Sequence, residues 1–362
     1  MKYLISLFGF AVLSPIAFAE VGLEGRIIEL ENKLSTFEQS TAEQVTEEEP
    51  TKPTFNALIE FEAGWNKSYD DITSSDFAVA TVELLMAHQL NDYVSAEVGL
   101  LYEEGETPIE VDIALLRLAA PESPFYIAAG QFYQSFGSFE SGMISDPLTL
   151  ELGETRETSL VGGFENEMAF ASFYVFNGNQ QTNLSDETTD YGVNIGVARE
   201  TEDSSFSVQA GYISNLAESD GLESAILAGS LSDEVAGFAI SSMTSFQSLS
   251  LILEWISAEE AFEATAFEFD GAGAKPQAWN VEVGHNFNLM NKGALVSLGY
   301  QGTEEALALE LPKERILAAL KLDIFEKTLL GFEISMDQDY SEAVGGTDEN
   351  AATFITQLAV EI

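Results

Sequence analysis

The sequence predicts an all-β membrane protein, an antiparallel up-and-down transmembrane β-barrel of about sixteen strands preceded by a short periplasmic helix. Three observations favour this fold class. From Phe55 onwards, apolar residues alternate with polar ones in runs of about ten residues. The connections between these runs are alternately long and short. No segment after the first nineteen residues has the run of about 18 apolar residues that a membrane-spanning helix needs.

Composition excludes several other classes of protein. The 362 residues include 61 acids against 14 bases, which gives a formal net charge of −47. Such a chain would repel phosphates, so no nucleic-acid partner is expected. The absence of cysteine excludes a disulfide framework and cysteine-based metal sites. A content of 46% hydrophobic and 11% aromatic residues indicates a folded chain rather than a disordered one.

The first nineteen residues are typical of a cleaved signal peptide. Lys2 precedes an apolar run from Tyr3 to Leu13, and Ala17-Phe18-Ala19 forms a small-x-small cleavage pattern. The apolar run is too short for a membrane anchor. We therefore expect export, with the bacterial outer membrane as the destination and its lipid as a partner.

Residues 20–42 predict a helical segment. Ile27, Leu30, Leu34 and Phe37 recur at intervals of three and four residues, which makes about two heptads. The helix either rests on the following domain or forms a short coiled coil between subunits, and the second alternative suggests a homotrimer. Residues 43–54 are acidic and contain two prolines, as expected of a linker.

Residues 55–362 form the predicted barrel. In residues 279–287, for example, Trp279, Val281 and Val283 lie on one face and Glu282 on the other. A soluble sandwich could show the same alternation, but it has no reason to alternate long and short connections. The even strand number places both barrel termini on the periplasmic side. The predicted strands are 55–65, 77–89, 93–102, 110–118, 125–134, 157–165, 168–176, 190–199, 206–213, 236–244, 248–257, 276–287, 294–301, 315–323, 328–336 and 353–362.

Two strands have uncertain edges, 110–118 and 236–244. Arg117 shares the parity of Val111 and Ile113, so a β-bulge is expected in the first of them.

The polar face carries acids that point to a cation-selective lumen. The inward-facing acids are Glu60, Glu62, Glu97, Glu282 and Glu333. An alternative explanation is that the acid excess reflects a salty habitat or bulk surface charge.

Two of the long connections stand out by their length, 135–156 and 214–235. The connection 135–156 carries seven apolar side chains, which would be of little use to a loop surrounded by water. We expect it to fold into the barrel and narrow the pore. Arg156 lies among carboxylates there, so it is either part of a structural ion pair or an anion contact in the constriction.

Several segments of this chain resemble the LbtU-type (legiobactin-receptor) siderophore porin family. They are FGSFE at 136–140, MISDPLTLELGETRE at 143–157, YVFNG at 174–178, GYISNLA at 211–217 and SDGL at 219–222. The resemblance implies an outer-membrane barrel of about sixteen strands that takes up an iron–siderophore without a plug domain. It implies no resident cofactor, because iron enters only as cargo bound to the siderophore.

The resemblance supplies candidate constriction and ligand-contact residues, which are Phe136, Phe139, Asp146, Glu151, Glu154, Arg156 and Asp220. Ile362 departs from the aromatic residue that usually ends such barrels. The acidity also conflicts with an anionic siderophore, because like charges repel. A general cation-selective diffusion porin, with a small cationic solute as its partner, is therefore the alternative. A structural or adhesive envelope protein is a third class.

No catalytic site and no metal site are expected. The only imidazoles are His88, at a strand end, and His285, on the predicted lipid face. Asp337, Asp339 and Glu342 could surround Ca²⁺, but they lack EF-hand spacing, and a solvated acidic loop is favoured.

Overall fold

The structure is a computed structural model that describes residues 52–105, 107–179, 190–226 and 230–362. The predicted signal peptide, the helix at 20–42 and most of the linker lie outside these residues. Within the described ranges, no helix is both long and apolar enough to cross a membrane.

Sixteen antiparallel strands form one closed barrel, which confirms the predicted fold class. Each strand pairs with its neighbour in the chain, and β1 pairs with β18 to close the barrel. A separate hairpin, β12–β13, lies within one loop, so β11 pairs with β14. The strands are β1 (Thr54–Lys67), β2 (Thr73–Asn91), β3 (Val94–Tyr102), β4 (Glu110–Ala119), β5 (Phe125–Tyr133), β6 (Arg156–Glu165), β7 (Ala169–Phe176), β8 (Asp190–Glu200), β9 (Ser204–Ile213), β10 (Gly237–Phe246), β11 (Leu249–Ala258), β12 (Glu268–Phe269), β13 (Ala272–Gly273), β14 (Gln277–Leu289), β15 (Lys292–Glu304), β16 (Glu314–Phe325), β17 (Thr328–Gln338) and β18 (Asn350–Glu361).

The outer wall is apolar because every second strand residue points away from the lumen. Phe173, Ile195 and Leu298 are more than half exposed in the isolated chain, whereas polar residues of the opposite parity are buried. A membrane barrel turns such an apolar band towards lipid. The parity of the sequence therefore correctly separates lipid-facing from lumen-facing residues.

The connections follow the predicted alternation with one exception. Those at one end of the barrel have two to five residues, and those at the other end have five to 23. The exception is 68–72, which is no longer than the turn 120–124 because β1 and β2 extend further than the sequence indicates. Both termini of the barrel lie at the short-turn end, where Ala57 and Ile362 exchange backbone hydrogen bonds.

A β-bulge interrupts β4, as the conflicting parity of this segment predicts. Gly99 pairs with Ile113 and Leu100 with Val111, so Asp112 is the extra residue. Asp112 and Ile113 are consequently both buried on the lumen side. In contrast, β10 pairs in continuous register with both of its neighbours.

Two long loops contribute short helices, α1 (Leu148–Gly153) and α2 (Asp220–Ala225). These loops supply much of a hydrophobic core that lies inside the barrel. Phe136, Leu152 and Leu222 of the loops pack with inward-facing wall residues such as Tyr174 and Ile256. One side of the lumen is thus filled with apolar side chains.

Candidate functional site

The loop 134–155, which we call the constriction loop, runs inside the barrel along its wall. Phe136 and Leu152 are fully buried against wall residues. The approach is close at Gly211, where a Cβ atom would lie 2.2 Å from the carbonyl oxygen of Phe136. Glycine is therefore required at this point of β9 for the loop to reach the wall.

Three glutamates on the wall bind this loop, mainly through its backbone. Glu254 accepts hydrogen bonds from the backbone nitrogen of Ser138 at 2.7 Å and the hydroxyl of Thr149 at 2.7 Å. It also accepts from the backbone nitrogen of Phe139 at 3.2 Å. Its carboxylate thereby joins the start of the loop to α1.

Glu282 and Glu333 bind the middle of the loop. Glu282 accepts from the backbone nitrogen of Gly142 and the hydroxyl of Ser141, both at 2.7 Å. Glu333 accepts from the backbone nitrogen and the hydroxyl of Ser145, and from the backbone nitrogen of Ile144. These contacts hold successive segments of the loop against β14 and β17.

Lys321 of β16 lies between these two carboxylates and completes the attachment. Its ammonium group donates a hydrogen bond of 2.6 Å to the carbonyl oxygen of Met143. Glu282 and Glu333 lie close enough to interact electrostatically with it. Lys321 is only 2% exposed, so its charge is balanced locally rather than presented to a solute.

The remaining side of the lumen is lined by acids. From the constriction loop, Asp146 and Glu151 are exposed to the lumen, and Glu62, Glu83 and Glu97 of β1–β3 are half-buried on the facing wall. We call these last three the open-wall glutamates. Enclosure by the barrel and then the negative charges of Glu151, Glu103, Glu60 and Glu62 raise the pKa of Asp146 above its ordinary value. The loop and β1 therefore present like charges to each other across the open side.

Arg156 lies at the start of β6 and is bound by acids of β4. Its guanidinium pairs with Glu110 and, at 2.9 Å, with Asp112. The same Asp112 oxygen accepts a hydrogen bond of 2.8 Å from the hydroxyl of Tyr133. The bulge in β4 makes this cluster, because it turns Asp112 towards the lumen. Of the two expected roles of Arg156, the structure contains the ion pair.

The basic side chains at inward-facing strand positions of the described ranges are also paired. Arg315 makes a bidentate contact with Asp337 at 2.8 and 2.9 Å. Arg117 pairs with Glu165 at 3.2 Å and lies over the ring of Tyr126. With Lys321 they are the three bases in inward-facing rows of the described strands, and Arg156, whose row in β6 also holds the exposed Leu160, is paired as well.

The other predicted contact residues have different positions. Phe136 is 1% exposed, so it anchors the loop instead of lining the lumen, which corrects its assignment as a ligand contact. Phe139 packs partly against the same core. Asp220 accepts a hydrogen bond of 3.2 Å from the backbone nitrogen of Arg156. Glu154 is half-buried near Asp220, and enclosure followed by that neighbouring charge raises its pKa well above the ordinary value.

The five predicted lumen acids all lie on the inner face, but they do not share one environment. Glu60, Glu282 and Glu333 are each 2% exposed, whereas Glu62 and Glu97 are half-buried. Glu254 was not among the predicted residues, although the sequence places it on the face of its strand that points away from Leu251, Leu253 and Trp255. The alternation along β2 would likewise have identified Glu83. The position of Asp112 could not be found in this way, because it depends on exactly where the bulge lies.

The acidic segment considered for Ca²⁺ has other partners. Asp337 binds Arg315, and Asp339 accepts hydrogen bonds from the backbone nitrogen and hydroxyl of Thr347, both at 2.7 Å. In the part of the chain that the structure describes, no group of three His, Cys, Asp or Glu side chains is arranged to hold a metal ion. His285 lies in the outward-facing row of β14 and stacks on Phe287.

Comparison with known proteins finds relatives among UPF0422 proteins, a name that states no activity. The chain is 28% identical over 295 residues to the UPF0422 protein of Legionella pneumophila strain Paris, covering 74% of this chain and 55% of that protein. It is 26% identical over 342 residues to the UPF0422 protein of Coxiella burnetii, covering 90% and 72%. The chain thus spans about half the length of the Legionella relatives that it matches. No family model matches it.

Solved structures with a similar fold are outer-membrane porins. OprB of Pseudomonas putida has a TM-score of 0.62 at 9% identity, covering 86% of this chain and 94% of that one. An anion-selective porin from Comamonas acidovorans has a TM-score of 0.60 at 9% identity, covering 86% and 100%. OmpT of Vibrio cholerae in its trimer form has a TM-score of 0.55 at 9% identity, covering 87% and 100%. The chain therefore has the β-barrel fold of these porins.

Proposed function

We propose that the chain is an outer-membrane diffusion channel that prefers cationic solutes. The observation that carries this proposal is the acidic lining on both sides of the open lumen, Asp146 and Glu151 on the loop and the open-wall glutamates opposite. The inward-facing bases of the described strands are paired, so they offer little attraction to an anion. Rings of carboxylates favour cations in channels.

Reconstitution into planar bilayers between unequal KCl concentrations tests this proposal. We expect a zero-current potential of the sign given by potassium passing faster than chloride. A preference for chloride would refute it, and a protein that assembles but passes no ions would refute the channel itself. The fold alone does not decide the outcome, because the porin from Comamonas with a similar fold is anion-selective.

A second candidate is uptake of an iron–siderophore. It is favoured by the position of the segment MISDPLTLELGETRE, which carries the family resemblance and makes up most of the constriction loop. Asp146, Glu151 and Glu154 would then be the side chains that meet the cargo. Their charges favour a neutral or cationic iron complex over an anionic one. Unimpaired growth of a deletion strain on its own iron–siderophore in iron-poor medium would eliminate this candidate.

We further propose that the channel is a homotrimer. The support comes from the two predicted heptads at residues 27–37 and from the trimer form of the similarly folded OmpT. Native mass spectrometry of the detergent-extracted protein is expected to give three chains. A single chain under conditions that preserve a known porin trimer would contradict this proposal.

A further inference from the structure

We propose that Glu254, Glu282 and Glu333 are positioning residues that set the aperture of the channel by fixing the constriction loop. This inference rests on the proposed channel function and deepens it. In the sequence these glutamates look like ordinary lumen charges, but they are 4%, 2% and 2% exposed, respectively. A passing solute therefore meets the loop, and the glutamates act through the loop.

The three carboxylates hold the loop at successive points along its path. Glu254 binds it at residues 138–139 and again at Thr149, Glu282 binds it at 141–142, and Glu333 binds it at 144–145. Their strands are β11, β14 and β17, so the bound segment crosses a large part of the wall. Lys321 adds a contact to the intervening Met143. The loop consequently has no unattached stretch of more than a few residues between 138 and 149.

The chemistry of these contacts explains why carboxylates occupy the positions. A loop that leaves the sheet exposes backbone N–H groups, and these need acceptors when they are buried. A carboxylate has two oxygens, accepts several hydrogen bonds at once, and forms stronger bonds than a neutral acceptor. Glu282 uses both oxygens in this way, one for Ser141 and Asn280 and the other for Gly142.

Replacing the three glutamates by glutamine tests the proposal while preserving side-chain size. Glutamine has one acceptor oxygen, and its NH₂ group would face N–H donors, so the loop should loosen. In bilayers, we expect the triple variant E254Q/E282Q/E333Q to admit larger neutral polymers than the wild type and to fluctuate more in its open state. The single variant Glu333→Gln should show the same change to a smaller degree, and it serves if the triple variant does not assemble.

A matched control separates aperture from charge. Exchanging the open-wall glutamates in the variant E62Q/E83Q/E97Q removes the same formal charge and leaves the hydrogen bonds of Glu254, Glu282 and Glu333 to the loop in place. It should weaken cation selectivity and leave the polymer size limit at the wild-type value. An equal shift of the size limit in both triple variants would overturn the positioning role.

An engineered disulfide between the loop and the wall should restore the size limit of the triple glutamine variant. A Cβ atom on Gly142 would lie 3.2 Å from that of Ser297, slightly closer than the roughly 3.8 Å of a typical disulfide. Because the chain has no cysteine, the pair G142C/S297C would supply its only two thiols. Oxidation should leave the size limit unchanged in the wild-type background and restore it in E254Q/E282Q/E333Q, with reduction reversing the effect.

The outcomes distinguish the two proposals. If the wild type passes no ions, the channel function fails. If the wild type conducts but the triple glutamine variant keeps the same size limit, with or without the cross-link, only the positioning role fails.

Discussion

Glutamates on two parts of the barrel wall occupy the same kind of position, an inward-facing site in a membrane strand, but they have different surroundings. Those of β11, β14 and β17 are covered by the constriction loop and accept hydrogen bonds from it. Those of β1–β3 include the half-buried open-wall glutamates, on the side that the loop leaves open. One wall therefore holds the loop in place, and the other carries the acids on the open side of the barrel.

The comparison shows that the position of a charge in a barrel does not define its role. Backbone groups of a loop folded into the lumen need acceptors as much as a cation needs counter-charges. Acids on one side of a barrel can thus fix a loop to the wall, while acids on the other side can favour cations. Variants that affect only one of the two walls can test this division.

The largest expected effect comes from loosening the filled side of the lumen. Phe136→Ala removes a side chain that is 1% exposed from the core between loop and wall. Such a change costs about 3–5 kcal/mol. We expect the variant to unfold at a lower denaturant concentration than the wild type, as measured by its mobility in gels.

The matched control is Phe173→Ala, which removes the same atoms from the outer wall, where the ring is 51% exposed. Phe173→Ala should lower the stability of the barrel much less than Phe136→Ala does. Equal destabilisation by the two variants would contradict a packed core inside the barrel.

A smaller effect is expected from Arg156→Ala, at the start of β6. The substitution leaves Glu110 and Asp112 without their shared partner. Because the pair is partly exposed, we expect a loss of about 1–2 kcal/mol of stability with assembly intact. The loss of a positive charge should also raise cation selectivity in bilayers. Failure of the variant to assemble would mean that the ion pair is required for folding.

Two carboxyl groups of the constriction loop, Asp146 and Glu154, should take up protons at a higher pH than ordinary carboxyl groups do. Both have raised pKa values, whereas the pKa of a free carboxyl is about 4. Protonation removes negative charge, so cation selectivity should fall as the pH decreases, beginning above that value. A zero-current potential that stays constant down to pH 4 would contradict this expectation.

The smallest effect is expected from single changes on the open wall. Glu97→Gln removes one charge of several, so it should slightly reduce cation selectivity and leave conductance for neutral solutes unchanged. If Glu97→Gln alone abolished selectivity, the acids would not act as a group.

The sequence predicts the fold well because alternation and connection length are local properties. Strand number, lumen parity and the irregularity near Asp112 follow from residues a few positions apart. The apolar side chains of the 135–156 segment likewise predict a loop folded inside the barrel. The different roles of Glu282 and Glu62 could not be predicted, because they depend on which strands the loop crosses, a contact between segments about 140 residues apart. The burial of Phe136 depends on the same contact.

Thiol labelling of single-cysteine variants tests the central claim most directly, because the chain has no cysteine of its own. Asp146→Cys should react faster with a positively charged thiol reagent than with a negatively charged one of similar size, and the reaction should reduce conductance. Phe136→Cys should remain unlabelled in the folded channel. Faster reaction of Asp146→Cys with the negative reagent, or ready labelling of Phe136→Cys, would contradict an acidic path beside a loop that is fixed to the wall.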